Sequence, residues 1–253
     1  MLQEALKLGG LINIKIDNMR YQHNERIRQQ EATPKKPYAM IAVSSGEGFS
    51  EVFRDLGVSR LIEGGQTMNP SAGDIAQAIS EEHAEVVYLF PNNKNIILAA
   101  NQAKEMVNSQ VFVIPTTSVP EGIAAAIAFN PTAAAEENSE TMTEAAECVS
   151  TGLITYAVRN SESDGIKIKK GDMIGLAGKK IIISGASADD SVLSVCNELC
   201  DQETAMITLY YGEEIKKEEA ERLKFKLEEK YKDIDISIQY GGQPVYYYII
   251  GIE

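Results

Sequence analysis

Short apolar runs alternate with longer amphipathic stretches between residues 38 and 130. The runs have the length of buried strands, and the stretches between them place apolar residues at helical spacing. Strands that alternate with helices predict a parallel sheet with right-handed crossovers and helices on its faces. The predicted strands are 38–43, 61–62, 86–90 and 111–114, and the predicted helices are about 47–56, 71–82, 95–107 and 119–129.

Residues 131–253 follow a second pattern, in which strands outnumber helices. In the last predicted strand, alternation places Tyr246 and Tyr248 on one face and Tyr247 on the other. The whole chain therefore predicts an α/β fold of two subdomains, the first with a parallel sheet flanked by helices and the second a mixed-sheet α+β unit. In the second subdomain the predicted strands are 152–159, 166–168, 173–176, 180–184, 204–211, 234–240 and 245–252, and the helices are 188–200 and 214–231.

Two polar segments predict the domain boundaries. Residues 29–37 contain two prolines and predict a linker. Residues 131–150 predict a helix that joins the two subdomains and carries five glutamates on its solvated side, namely Glu136, Glu137, Glu140, Glu144 and Glu147. The helix–strand–helix pattern before the linker is too short to build its own core, so it predicts the end of an earlier domain. The predicted divisions are 1–30 for that remnant, 31–130 for subdomain 1 and 131–253 for subdomain 2.

Polar, turn-forming loops follow the four predicted strands of subdomain 1. The carboxyl ends of parallel strands meet at one edge of a sheet, where ligands bind, so we expect these loops to line one crevice. Their hydroxyl and amide groups suit a carboxylate or another carbonyl-bearing ligand, although the same side chains also stabilise turns of their own. The candidate contacts are Ser44, Ser45, Gly46, Gly64, Gly65, Gln66, Thr67, Asn69, Ser71, Asn92, Asn93, Lys94, Asn95, Thr116 and Thr117.

The sequence contains no clear catalytic constellation. It has neither the full G-x-G-x-x-G fingerprint nor the phosphate-binding G-x-x-x-x-G-K-[ST] motif. His23 and His83 do not lie beside a plausible nucleophile. Cys196 and Cys200 are four apart on a predicted helix, which could present both to a metal, but burial as small apolar residues also explains them. We therefore expect no catalytic residue, no metal ligand and no cofactor in this chain.

The net charge of −13 comes from the two predicted subdomains. Residues 37–130 hold four basic and ten acidic side chains, and residues 131–253 hold 13 basic and 23 acidic ones. This charge repels nucleic acid and anionic membranes and favours a basic partner protein, although acidity also serves solubility alone. The chain has neither a membrane-length apolar run nor a signal-peptide pattern, which predicts a cytoplasmic location.

Six segments together resemble the C-terminal part of FakA, the kinase component of bacterial fatty acid kinase, in the family also called YloV or DAK2-fusion. The tripeptide Gly-Gly-Gln occurs in two of them, at residues 64–66 and 241–243. The segments are Lys15-Ile-Asp-Asn-Met-Arg-Tyr-Gln-His23, Gly46-Glu-Gly48, Gly64-Gly-Gln-Thr-Met-Asn-Pro-Ser71, Pro91-Asn-Asn-Lys-Asn95, Val113-Ile-Pro-Thr-Thr-Ser118 and Gly241-Gly-Gln-Pro-Val-Tyr-Tyr-Tyr248.

The resemblance implies a kinase component whose other domains precede these segments. Such a protein has an ATP-binding kinase domain similar to the dihydroxyacetone kinase L subunit, then a middle domain, and finally a C-terminal domain that engages the fatty-acid-carrying protein FakB. The complex makes acyl-phosphate for phospholipid synthesis. By this resemblance, ATP and magnesium belong to the kinase domain, and residues 1–28 are the last elements of the middle domain.

For this chain the resemblance implies a non-catalytic module that docks FakB. The expected partners are FakB and the remainder of the kinase chain, without nucleic acid or direct membrane insertion, and a homodimer stays open. The loop at 64–71 is also similar to the Thr-Ser-x-Pro-Ser loop with which DegV-type proteins hold a fatty acid carboxylate. The alternative expectation is therefore a DegV-like fatty acid or small-anion-binding module.

Overall fold

Four strands in the first half of the chain form one parallel sheet. The computed structural model describes residues 34–65, 69–163, 165–178 and 180–253. The strands pair in the order β2-β1-β3-β4, and every neighbouring pair is parallel, which confirms the predicted sheet. Their bounds are β1 (Lys36–Ser44), β2 (Arg60–Glu63), β3 (Ala84–Phe90) and β4 (Gln110–Val113).

Helices cover both faces of this parallel sheet. Alternate residues of β1 point to opposite faces. Ile41 packs in a core with α2 and α3, whereas Ala42 packs in a core with α1, α4 and α5. A strand that is apolar on both faces is typical of a parallel sheet with helices on each side. The helices are α1 (Glu47–Asp55), α2 (Ala72–Glu82), α3 (Lys94–Lys104), α4 (Val119–Ile127) and α5 (Ala135–Glu147).

The second sheet has six strands in the order β11-β10-β12-β5-β8-β9. In this sheet β10 and β11 run parallel to each other, and the other neighbouring pairs are antiparallel, which confirms the predicted mixed sheet. A short hairpin, β6 with β7, lies outside it. The elements are β5 (Ser150–Tyr156), β6 (Ser161–Ser163), β7 (Ile166–Ile168), β8 (Met173–Ala177), β9 (Lys180–Ser184), α6 (Ala188–Leu199), β10 (Met206–Tyr211), α7 (Lys217–Lys230), β11 (Asp235–Tyr240) and β12 (Tyr248–Ile252).

The two sheets share one hydrophobic core. One face of the six-stranded sheet packs against α6 and α7, where Leu209 and Ile250 contribute to an outer core. From its other face, Tyr210 and Ile249 join Phe49, Phe53 and the helices α4 and α5 in what we call the shared core. Residues 36–253 accordingly form one compact unit. The predicted domain boundaries stay a prediction, and the predicted remnant at 1–30 lies outside the described residues.

Some predicted strand ends were wrong. β1 begins at Lys36, inside the predicted linker, and β5 ends at Tyr156 rather than at residue 159. The last strand begins only at Tyr248, because Val245 adopts a left-handed backbone conformation with φ 73° that interrupts extended structure. Consequently Tyr246 packs against the shared core while Tyr247 and Tyr248 pack with the outer core, so the predicted grouping of these tyrosines was wrong.

The largely buried Glu82 carboxylate links α2 to the amino ends of β1 and β2. Glu82, at the end of α2, accepts hydrogen bonds from Lys36 Nζ at 3.0 Å and Arg60 Nε at 2.9 Å. Burial by itself raises the pKa of Glu82, but hydrogen bonds from Arg60, Lys36 and Ser59 outweigh it, so the pKa lies below its ordinary value. The ion pairs join α2, β1 and β2 at the edge opposite the carboxyl ends of the strands.

Among the described residues, no helix is both long and apolar enough to cross a membrane.

Candidate functional site

A cavity of about 250 Å³ opens where the parallel strands end. The polypeptide leaves each strand there and enters the next helix, so the loops supply polar groups to one wall. This is the edge at which open α/β sheets bind ligands. The uncharged polar side chains that these loops contribute to the lining are Ser44, Ser45, Asn92, Asn93, Thr117 and Ser118.

The second sheet closes the cavity with apolar side chains. Leu153 of β5 and Ile249 of β12 reach it from the six-stranded sheet, and Tyr246 reaches it from the loop before β12. Phe49 of α1 and Val119 of α4 complete this wall. The cavity is therefore amphipathic, with hydroxyl and amide groups from the parallel sheet facing apolar side chains from the shared core.

The predicted site residues divide into three groups. Those that line the cavity are Ser44, Ser45, Gly64, Gly65, Asn92, Asn93 and Thr117. Those described but outside its lining are Gly46, Asn69, Ser71, Lys94, Asn95 and Thr116. The remaining two, Gln66 and Thr67, lie outside the described residues.

Several residues outside the lining have local structural roles instead. The Ser71 hydroxyl accepts a hydrogen bond from the Asp74 backbone N–H at 3.2 Å, and the Asp74 carboxylate accepts one from the Ser71 backbone N–H at 3.0 Å. This reciprocal capping box starts α2. The Asn95 backbone N–H donates to Asn93 Oδ1 at 2.9 Å, which caps α3. Lys94 is the first residue of α3, and its side chain is exposed.

Asn92 fixes the geometry of the cavity wall. Its backbone has φ 54°, a conformation that asparagine tolerates better than most residues. Its Nδ2 donates to the carbonyl of Val43 at 2.9 Å, and its backbone N–H donates to Thr116 Oγ1 at 3.0 Å. A Cβ atom at Gly122 would lie 2.0 Å from Asn92 Oδ1, so the carboxamide sits directly on α4. One buried side chain thus joins the ends of β1 and β3 to α4.

Gln243 lines the cavity but was not among the predicted site residues. Its Nε2 donates to the carbonyls of Tyr210 at 2.9 Å and Tyr246 at 3.4 Å, which holds the loop before β12 against β10. Val245, in the same loop, keeps its left-handed conformation at the cavity wall. The sequence signal for this loop was the recurrence of Gly-Gly-Gln at 241–243, which by itself predicts no role in a site.

Three cavity-lining residues have a buried polar atom without a hydrogen-bond partner in the described part of the chain. They are Ser44 Oγ, Asn92 Oδ1 and Gln243 Oε1. Such atoms are uncommon in folded proteins. The two carboxamide oxygens face glycine backbone, since a Cβ at Gly122 or at Gly241 would lie 2.0 Å from them. These oxygens therefore pack behind the cavity surface.

The described lining of the cavity is almost entirely uncharged. Among its described lining residues, Glu63 alone carries a charge, and it is exposed at the rim. Behind Thr117, the Glu121 carboxylate accepts hydrogen bonds from the Thr117 backbone N–H and hydroxyl. Burial raises the pKa of Tyr246, so its phenol stays neutral. The cavity therefore offers apolar contact and neutral hydrogen-bonding groups, which suit binding rather than acid–base chemistry.

In the part of the chain that the structure describes, the cysteines and acids outside the cavity do not form a metal centre. Cys196 is fully buried in the outer core, and burial raises its pKa to about 12. Burial also raises the pKa of Cys200. Within the described ranges, no group of three or more His, Cys, Asp or Glu residues could hold a metal ion.

Solved structures place this fold among DegV-type proteins. A DegV family protein from Corynebacterium glutamicum covers 86% of this chain with 97% of its own length, at a TM-score of 0.61 and 14% identity. A DegV family protein from Ruminococcus gnavus, described with vaccenic acid, covers 87% of this chain with 100% of its own, at a TM-score of 0.60 and 14% identity. At such low identity the likeness establishes the fold alone.

The family follows from sequence. The family model for the C-terminal region of FakA-like fatty acid kinase proteins matches residues 39–253. Protein YloV of Bacillus subtilis is 43% identical over 260 aligned residues, which cover 100% of this chain and 47% of YloV. This chain belongs to the FakA-like C-terminal family, as the resemblance predicted. It spans about half the length of the curated relatives it matches.

Proposed function

We propose that this chain is the non-catalytic C-terminal module of a cytoplasmic fatty acid kinase and docks the fatty-acid-binding protein FakB. The kinase domain of the same protein would then phosphorylate the bound fatty acid to acyl-phosphate. The observation that carries the proposal is the family match across residues 39–253. A docking role also agrees with a site built for contact rather than for proton transfer.

The surface of α5 supports docking through charge. Asn138, Met142 and Ala146 point into the shared core or its margin. All five glutamates of the helix are exposed, as predicted, and none forms an ion pair with a described residue. Concentrated, unpaired charge of one sign attracts an oppositely charged partner over a distance and raises the association rate.

Association kinetics test the docking proposal. FakB should bind the whole chain, and the triple variant Glu137→Lys, Glu140→Lys and Glu144→Lys should lower the association rate about tenfold at low salt. The difference should shrink as ionic strength rises from about 0.01 M to 0.15 M, because the Debye length falls from roughly 30 Å to 8 Å. Apolar contacts at the interface centre should keep the dissociation rate nearly constant.

A matched variant separates position from net charge. Glu213, Glu218 and Glu229 are exposed on the side of the second sheet, and their reversal to lysine changes the net charge equally. This control should keep most of the low-salt association rate. If both triple variants slow association equally, only net charge matters. If FakB does not bind the chain at all, the docking proposal is wrong.

A second candidate function is binding of an acyl ligand in the cavity, for which the amphipathic lining is the specific observation. Hydroxyl and amide groups would face the head group, and Phe49, Leu153 and Ile249 would face the chain. Titration of a fluorescent fatty acid tests this candidate. Leu153→Phe should abolish saturable binding by filling the cavity. Ser71→Ala should leave it intact because Ser71 caps α2 outside the lining.

A further inference from the structure

The cavity runs from an exposed mouth to a buried apolar floor. Among its lining residues, Glu63, Thr117 and Pro244 are exposed and mark the mouth. An amphiphile that keeps its head group near water at the mouth therefore directs its chain toward the floor. The buried apolar lining residues that form this floor are Val43, Phe49, Ile96 and Ile249.

Phe49 is held firmly in the floor. Its ring packs against the ring of Tyr210 with centroids 5.0 Å apart, and its backbone N–H donates to the carbonyl of Gly241 at 3.2 Å. A Cβ at Gly241 would lie 2.9 Å from Phe49 Cε2, so glycine backbone also lies against the ring. Tyr210 does not line the cavity, which places the Phe49 ring between Tyr210 and the empty space. A ligand chain that reaches Phe49 therefore meets closely packed protein behind it.

The volume of the cavity limits the length of chain that it can hold. An apolar cavity of about 150 Å³ holds one benzene, so about 250 Å³ has room for roughly ten non-hydrogen atoms. Octanoate, with eight carbons and two oxygens, has this number of atoms. The volume also lies just below the range of roughly 300–1,000 Å³ that is usual for drug-sized ligands.

We propose that the cavity holds medium-chain acyl groups and that Phe49, as the end wall, limits their buried length to about eight carbons. The inference rests on the second candidate function, binding of an acyl ligand in this cavity. Each methylene that enters the floor leaves water, which raises affinity about fourfold. Once the chain reaches Phe49, further methylenes stay outside the mouth in water, so affinity stops rising. Phe49 is thus a specificity-determining residue for chain length.

A series of straight-chain fatty acids with six to twelve carbons tests the size limit. All members carry the same carboxylate, so differences in affinity report the chain alone. Each acid is titrated into the whole chain at pH 7, below its critical micelle concentration, and followed by calorimetry. Affinity should rise about fourfold per methylene up to about octanoate and then stay within about twofold through dodecanoate. A fourfold rise at every step through dodecanoate would overturn the size limit.

Two matched variants test the role of Phe49. Phe49→Leu removes about three side-chain carbons from the end wall, so the length at which affinity stops rising should move to about ten or eleven carbons. Phe53→Leu makes the same change in the same helix and in the same shared core, but Phe53 does not line the cavity. Its limit should stay at about eight carbons. The same limit in both variants would overturn the assignment to Phe49.

A smaller substitution in the floor keeps the test decisive if Phe49→Leu does not fold. Ile249→Val removes a single carbon from the floor and should lengthen the limit by about one carbon, which the nine-carbon acid detects. Ile250→Val makes the same change at the next residue, which packs in the outer core, and should leave the limit unchanged. Equal limits in these two variants would show that the floor does not restrict the chain and would overturn the proposal.

The outcomes separate the size limit from ligand binding itself. Saturable binding whose affinity never levels off would overturn the size limit but keep the cavity as a ligand site. Absence of saturable binding by the whole series, or binding that survives Leu153→Phe, would overturn both. The docking proposal is measured with FakB and does not depend on either result.

Discussion

The two sheets contribute to the cavity in different ways. All four strands of the first sheet run parallel, so the loops that follow them meet at one edge and bring Ser44, Asn92 and Thr117 together. The second sheet is mostly antiparallel, and its loops are divided between two edges. It supplies the side chains of Leu153 and Ile249 and one loop.

The hydrogen-bonding groups of the cavity and its apolar wall therefore come from different sheets. In a parallel sheet, the loops after all strands meet at one edge, even when they are far apart in sequence. The first sheet therefore supplies the hydrogen-bonding groups. The second sheet supplies an apolar wall, and it can do so only because the shared core holds the sheets against each other. Substitutions in the shared core should therefore destabilise both sheets, while substitutions in the outer core should destabilise mainly the six-stranded sheet.

Phe53→Ala should have the largest effect. Phe53 is fully buried in the shared core, and removing such a side chain typically costs about 3–5 kcal/mol of unfolding free energy. Hydrogen exchange followed by mass spectrometry should show loss of amide protection in both sheets. Leu227→Ala in the outer core should weaken the six-stranded sheet more than the parallel one. If Phe53→Ala leaves protection of the six-stranded sheet unchanged, the sheets are independent.

Gly48→Ala tests how closely α1 of the first half approaches β11 of the second sheet. A Cβ at Gly48 would lie 1.9 Å from the carbonyl oxygen of Tyr240 at the end of β11, and backbone atoms cannot easily move away. We expect a loss of about 2–3 kcal/mol in chemical denaturation. In Gly73→Ala the nearest atom is the Ser71 hydroxyl oxygen at 3.6 Å, so this helical position should gain about 0.5–1 kcal/mol. Equal effects of the two substitutions would contradict a tight contact at Gly48.

Glu82→Gln compares a buried ion-pair cluster of the first sheet with a surface pair of the second. The hydrogen bonds from Lys36 and Arg60 give an expected loss of about 1–2 kcal/mol at pH 7, less than for a fully buried pair because Lys36 is half exposed. Asp189→Asn breaks the exposed pair with Lys226 and should cost at most about 1 kcal/mol. A larger loss for Asp189→Asn would reverse this ranking.

The Glu82 contribution should also depend on pH. Because the folded state lowers the pKa of Glu82 below 4.5, the unfolded state binds more protons in this range. The stabilisation is therefore complete well above pH 4.5 and disappears as pH falls through the lowered pKa. Denaturation at pH 7 should separate Glu82→Gln from the unmodified chain, and the difference in unfolding free energy should shrink as the pH is lowered through the depressed pKa of Glu82.

Ser71→Ala and Ser187→Ala should give the smallest and most similar effects. Each serine accepts the backbone N–H of the residue three positions later, in α2 beside the first sheet and in α6 beside the second. Loss of such a cap costs about 1 kcal/mol in thermal or chemical unfolding. A much larger functional effect of Ser71→Ala than of Ser187→Ala would show that Ser71 has a role besides capping.

The alternation of apolar runs and polar loops along the sequence correctly predicted the parallel sheet and a crevice at the carboxyl ends of its strands. A short apolar run followed by a polar loop can be recognised from a few consecutive residues. Once the strands are parallel, their shared direction places all of these loops at one edge of the sheet. Local patterns could not separate ligand-facing residues from capping residues, since both uses favour serine and asparagine. Ser71 caps α2 from outside the lining, whereas Asn93 both lines the cavity and caps α3.

The far wall of the cavity could not be predicted from local signals. Leu153, Gln243 and Ile249 lie roughly 35–200 residues from the loops that they face, and only tertiary packing brings them there. The tyrosine run failed for a different reason. Its alternating pattern assumed an extended backbone, whereas Val245 adopts a conformation that a β-branched residue rarely takes. Nothing in the apolar pattern signals such an interruption.

The place of β12 sets an order of events during synthesis. This strand lies in the interior of the six-stranded sheet, between β10 and β5, yet it leaves the ribosome after every other described strand. The parallel sheet, whose strands end at residue 113, can pair while later residues are still being added. The second sheet must wait for Tyr248–Ile252, and until then the apolar edges of β10 and β5 stay open to wrong partners. The cavity wall at Ile249 is therefore completed last.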